Sequence, residues 1–145
     1  MKRNGFLTVY VLWLGAILLT MAVAAASLAR IYVANAKHYA ESVRLIYAAE
    51  SVLVTEWDAL VETPWRDVPR KRRITITDRY DIAGPGHTVE WYIRSDNPQV
   101  LPFIGFLRVS VMNQDMQAKS SGYAFRVDEG ETADEGVFSI RWQEY

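Results

Sequence analysis

Arg70-Lys71-Arg72-Arg73 is the densest run of charge in the chain. Cationic side chains at that density neutralise phosphates and release counterions, so the run is a candidate DNA contact. The plainer use is a solvated linker or a contact with an acidic partner. Trp65, just after Pro64, adds a large side chain of the kind that anchors partner contacts. A second charged group, Asp128, Glu129, Glu131, Asp134 and Glu135, offers the oxygen ligands that Ca²⁺ takes. Its spacing does not match an EF-hand loop, and a solvated hairpin tip accounts for it. The two histidines are isolated: His38 falls in a helical pattern, and His87 follows Gly84-Pro85-Gly86. No nucleophile and base stand at a readable spacing, and no Gly-rich loop offers a phosphate cradle. The absence of cysteine excludes disulfides and thiolate ligands. These residue types predict no catalytic group, no metal and no cofactor. They describe a non-enzymatic protein that works by contact.

The elements that must position these residues begin with one stretch, Phe6 to Ala29. It holds 24 residues and no charge. A helix of about 20 apolar residues crosses the hydrocarbon core of a bilayer, and as a helix it keeps its backbone polar groups bonded within the segment. Three of the 16 Lys and Arg lie at or before Arg30, whereas all 17 Asp and Glu lie after it. Lys2 and Arg3 therefore orient the N-terminus to the cytoplasm by the positive-inside preference. The outer part is net acidic. A secretory signal peptide is the rival reading, with small residues at Ala22, Ala24, Ala26 and Ala29 to offer a cut. The helical pattern, however, continues past that point without a break.

From Arg30 to Glu62 there is no Gly or Pro. Leu28, Ile31, Tyr32, Tyr39, Val43, Ile46, Ala49, Val52, Leu53, Trp57 and Leu60 recur at spacings of three and four, the period of a helix with one apolar stripe. Thr63-Pro64 ends it. Residues 63–73 read as an exposed linker. Beyond it the period changes to two: Ile74 and Ile76, then Val89, Trp91 and Ile93, then Leu107, Val109 and Val111, then Tyr123, Phe125 and Val127, and last Phe138, Ile140 and Trp142. The pattern predicts an α+β protein in which an antiparallel sheet of four or five strands, residues 74–145, packs on the amphipathic helix of residues 30–62. Trp57, Trp91 and Trp142 are expected in the core, and Trp65 is expected outside it.

Lys2-Arg3-Asn4-Gly5-Phe6, the long apolar helix, its amphipathic extension and the small sheet together resemble type IV pilins and pseudopilins. In that family a short basic leader ending in Gly is cut before an aromatic residue, and Gly5-Phe6 matches the cut. The family's usual Glu at the fifth position after the cut is replaced here by Tyr10. A carboxylate in an apolar core is costly without a cation nearby, and the resemblance to subunits that lack it implies a minor, tip-associated subunit. Among these the chain looks most like the ComGG-type minor pseudopilins of Gram-positive competence systems. The resemblance implies a leader, residues 1–5, removed by a prepilin peptidase, and N-methylation of Phe6. It implies residues 6–29 as membrane anchor and filament core, with other major and minor pseudopilins as partners, and an assembly ATPase and a platform membrane protein as indirect ones. The role implied is support of DNA uptake at the cell surface. A minor pseudopilin of a type II secretion system, an uncut single-pass membrane adaptor and a secreted binding domain are the alternatives.

Overall fold

The helix that the apolar run predicts is continuous. In the computed structural model, which describes residues 3–76, 87–132 and 135–144, α1 runs Arg3–Glu62. Met1 and Lys2 of the expected leader, the Gly84-Pro85-Gly86 turn and Asp134 lie outside the described residues. The chain divides into two units, Met1–Ala40 and Glu41–Tyr145.

The first unit is helix alone. Its apolar side chains are exposed, and an 18-residue window of it reaches a mean hydropathy of 2.2 with none of its residues buried. The helix is long and apolar enough to span a membrane. Its two mid-span hydroxyls suit that medium. Thr20 Oγ1 donates to the Ile17 carbonyl at 2.8 Å, and Ser27 Oγ donates to the Val23 carbonyl at 2.9 Å. Each hydroxyl is thus bonded inside its own helix, as lipid requires.

In the second unit α1 lies on a five-stranded antiparallel sheet, an α+β, pilin-like architecture. The strands are β1 (Lys71–Thr75), β2 (Thr88–Ser95), β3 (Phe103–Met112), β4 (Ala118–Glu129) and β5 (Gly136–Glu144), in the spatial order β1-β2-β3-β4-β5. Leu45, Ala48, Ala49, Val52, Leu53 and Leu60 of α1 meet Val89, Ile93, Leu107, Val109, Tyr123, Phe125 and Val127 of the sheet in one buried cluster. The two adjacent alanines keep the helix close to the strands at its centre. Each Leu, Val or Phe fully buried here contributes about 1.5–3 kcal/mol. Trp57 closes the seam: its ring centroid lies 5.7 Å from Tyr123 and from Phe125 and 6.3 Å from Phe138. Tyr32 and Tyr39, placed on the apolar stripe by spacing, are exposed, and Glu56 is buried.

Helix α1 stops where Pro64 removes a donor. Thr63 N and Thr63 Oγ1 turn back to the Leu60 and Ala59 carbonyls at 3.1 and 2.9 Å. Residues 63–73 are not an extended linker throughout. A 3-10 turn at Trp65–Asp67 comes first, and β1 has already begun at Lys71. Ser95 ties this segment down: its Oγ donates to the Pro69 carbonyl at 3.0 Å and its N–H to the Arg70 carbonyl at 2.9 Å.

Strand β5 holds a further departure from the expected pattern. Phe125 pairs with Ile140 but Ala124 pairs with Trp142, so Arg141 is an extra residue in a bulge. A strand alternates its side chains strictly, and one inserted residue sends everything after it to the other face. Trp142, expected in the core, therefore stands on the far side of the sheet and is 54 % exposed.

Candidate functional site

The Gly5–Phe6 bond lies within the first turns of α1. The first four N–H groups of a helix have no intrahelical partner. The first turn of α1 carries no acidic side chain to favour the positive end of the helix dipole. Phe6 is 78 % exposed and Tyr10 54 % exposed. Both belong to the apolar surface of the first unit.

A second apolar surface runs along the second unit. Tyr47, Val54 and Val61 recur every seven residues on the side of α1 turned away from the sheet, and all three are exposed. The same spacing runs back in sequence through Ala40 to Val33 of the first unit, both exposed. The helix thus has an apolar stripe for its own sheet and another that its own sheet does not cover. A seven-residue repeat is the spacing that packs one helix against another.

The basic run is dispersed by the pleat of the edge strand. Lys71 and Arg73 pair with Arg94 and Tyr92 on the sheet face away from α1, whereas Arg72 pairs with Ile93 and points to the other side. All four of Arg70, Lys71, Arg72 and Arg73 are exposed. Arg73 is held: its Nε donates to Glu90 Oε2 at 3.2 Å and its Nη2 donates to the same oxygen. That hydrogen bond, and then the Glu90 charge, keep the guanidinium above its ordinary pKa. A raised cation adds stability that is present below its unfolded pKa and is lost only at extreme alkaline pH. The pair thus carries no pH switch on the arginine side.

Trp65 is not the exposed contact that its sequence context suggests. It is 8 % exposed and sits in the buried cluster. A Cβ on Gly136 would come within 2.9 Å of Trp65 Cβ, so the glycine is what admits the indole. The Arg66 guanidinium lies over the ring, 5.1 Å from its centroid. The turn at Trp65–Asp67 carries this side chain into the buried cluster, against Gly136 of β5.

The acidic segment forms a hairpin tip. Asp128 is bonded by Arg126 Nε at 2.6 Å, Gly130 N–H donates to the Glu135 carbonyl at 2.8 Å, and Glu129, Glu131 and Glu135 are exposed. Among the described residues no three His, Cys, Asp or Glu are placed to hold a metal ion. His87 Nε2 stands 3.4 Å from Glu41 Oε1 and links the start of β2 to α1.

Sequence reasoning missed two arginines. Arg94 and Arg108 are isolated in sequence, yet pairing across β1, β2 and β3 sets them beside Lys71 and Arg73 on one face. Only the register could have shown it. No family model, no curated protein and no solved structure matches this chain.

Proposed function

We propose that this chain is a minor pseudopilin, a structural subunit of a competence type IV pilus-like filament that supports DNA uptake. The observation that carries the reading is the helix. An uncharged, exposed apolar segment continues without a break into a half whose sheet covers one stripe and leaves Tyr47, Val54 and Val61 uncovered. One surface of that kind serves as anchor in lipid and, after extraction, as the packing surface between helices of a filament. Gly15, Ala16, Ala22 and the Ala24-Ala25-Ala26 run allow close helix approach. In this reading the N-terminus is cytoplasmic until a prepilin peptidase cuts after Gly5, and Phe6 then becomes a methylated N-terminus. Tyr10 in place of an acid leaves no partner for a neighbour's amine, which fits a subunit at the filament tip.

The test is the N-terminal residue, read by mass spectrometry in cells with and without prepilin peptidase. The expected result is a chain starting at Phe6 that reverts to Met1 when the peptidase is absent. An intact Met1 in cells with active peptidase overturns the reading and leaves a single-pass membrane adaptor. A start between Val23 and Ile31 in the medium would mean a secreted domain.

A further inference from the structure

The sheet face that α1 does not cover carries two rows of side chains in register. The first reads Lys71, Arg94, Phe106, Ala124, Trp142 from β1 to β5, and the second reads Arg73, Tyr92, Arg108, Gly122, Glu144. Within a row neighbours stand about 5 Å apart, and the rows are about 7 Å apart along the strands. The small residues of β4 make room for the rings. Phe106 leans over Gly122, where a Cβ would come within 2.8 Å of its Cζ, and its centroid lies 6.2 Å from that of Trp142 at 36°. Beside them a shallow cavity of about 240 Å³ is lined by Arg73, Glu90, Tyr92, Arg108 and Ser110.

Two features set this face apart. Trp142 is turned outward by the bulge at Arg141 and stays more than half exposed, although an indole in the core would contribute more to stability. Charge is also uneven. The strands' outward positions hold five cations, Lys71, Arg73, Arg94, Arg108 and Arg126, against three carboxylates, Glu90, Asp128 and Glu144. Glu90 and Asp128 are each engaged by an arginine. Lys71 and Arg94 form no ion pair among the described residues and face solvent. This excess stands on a domain that is otherwise net acidic.

We propose that this face binds single-stranded nucleic acid, with bases stacking on Trp142, Phe106 and Tyr92 and phosphates lying along Lys71, Arg94 and Arg108. Rings give single strands a stacking platform because every base has a π-face, and cations track the backbone. A sheet presenting two or three aromatic side chains is one way proteins hold splayed bases. A duplex keeps its base faces covered and would use only the cations. An acidic peptide would also use the cations and leave the rings idle. The proposal goes beyond the assembly role and does not rest on it, because it needs only the folded sheet.

The experiment uses the full chain in nanodiscs of neutral phosphatidylcholine. The probe is a fluorescein-labelled oligothymidylate of about twenty nucleotides, longer than one site, titrated by anisotropy at several salt concentrations. Binding that weakens with salt is expected. Trp142→Ala should lower affinity about 5- to 150-fold, the loss of one stacked base, and Trp142→Phe should restore most of it. Arg94→Ala should lower affinity and reduce the slope of log affinity against log salt by about 0.7. Both side chains are exposed, and thermal melts of the variants verify the fold. Absence of binding at low salt overturns the proposal. So does wild-type affinity in Trp142→Ala, or equal affinity for a duplex or for heparin, either of which would make the face a general polyanion surface. A chain that binds the probe but keeps Met1 in cells would retain this inference and lose the filament role.

Discussion

Phe125 and Gly105 stand opposite each other on β4 and β3, and the ring fills the space a side chain would take. A Cβ at Gly105 would lie 2.3 Å from Phe125 Cζ, closer than any real contact, and Phe125 is fully buried between that glycine, Trp57 and Phe138. The ring cannot retreat without displacing the seam between α1 and the sheet. Gly105→Ala is therefore expected to destabilise by about 1–3 kcal/mol. The entropy gained by replacing a strand glycine, about 0.5–1 kcal/mol, offsets only part of it. Gly15→Ala, with nothing within 4 Å, is the matched control. Urea midpoints of the two variants decide the matter, and equal midpoints would show that the ring has room to move. The glycine's role was invisible in the sequence because Gly105 interrupts an alternating pattern without saying which neighbour needs the space. Trp65 misled for a related reason. A tryptophan after Pro64 and before a basic run looks exposed, and only the inward turn at Trp65–Asp67 and the gap at Gly136 show where the indole goes.

At the scale of elements, α1 and the strands were readable because period and turn residues specify them locally. The helix ended at Glu62 as Thr63-Pro64 requires, and every apolar alternation became a strand or part of one. What stayed hidden depends on pairing. Lys71, Arg94, Arg108 and Trp142 are scattered in sequence and meet only through the register of five strands. The bulge is the clearest case, since Phe138, Ile140 and Trp142 alternate perfectly in sequence while Arg141 moves the last of them across the sheet. Deleting Arg141 should remove the extra residue and leave the pairs Phe125–Ile140 and Ala124–Trp142 in place, with Ile140 and Trp142 now adjacent and on opposite faces of the sheet. The indole then stays against the Phe106 ring. The expected outcome is near- and far-ultraviolet circular dichroism spectra close to those of the parent, with oligothymidylate binding retained. A changed near-ultraviolet spectrum with the far-ultraviolet spectrum retained would mean that β5 slips in register and that the bulge itself holds Trp142 outward.

For the whole molecule, the division of labour between the two units predicts how it comes apart. Every residue of the buried cluster lies at or beyond Leu45, and the first unit contributes none. Its apolar surface is matched to lipid or to other helices. Isolated helices of two or three turns are marginal in water, and what stabilises the rest of α1 is the sheet packed along it. A fragment of residues 41–145 should therefore keep the full core, including the Trp57 seam and the Glu41–His87 contact. It should unfold in urea as one cooperative transition, with a slope of about 1–3 kcal/mol per molar. Tyr47, Val54 and Val61 remain exposed in that fragment. If this stripe packs against the other subunits of the proposed filament, replacing the three with Glu, Lys and Gln should leave the urea midpoint near that of the parent fragment, while the full-length variant should lose co-purification with those subunits. A large fall in the midpoint would place the stripe in the fragment's own stability and remove it from assembly. A broad, non-cooperative transition of the parent fragment would show that the sheet needs the helix before Glu41 to hold its register.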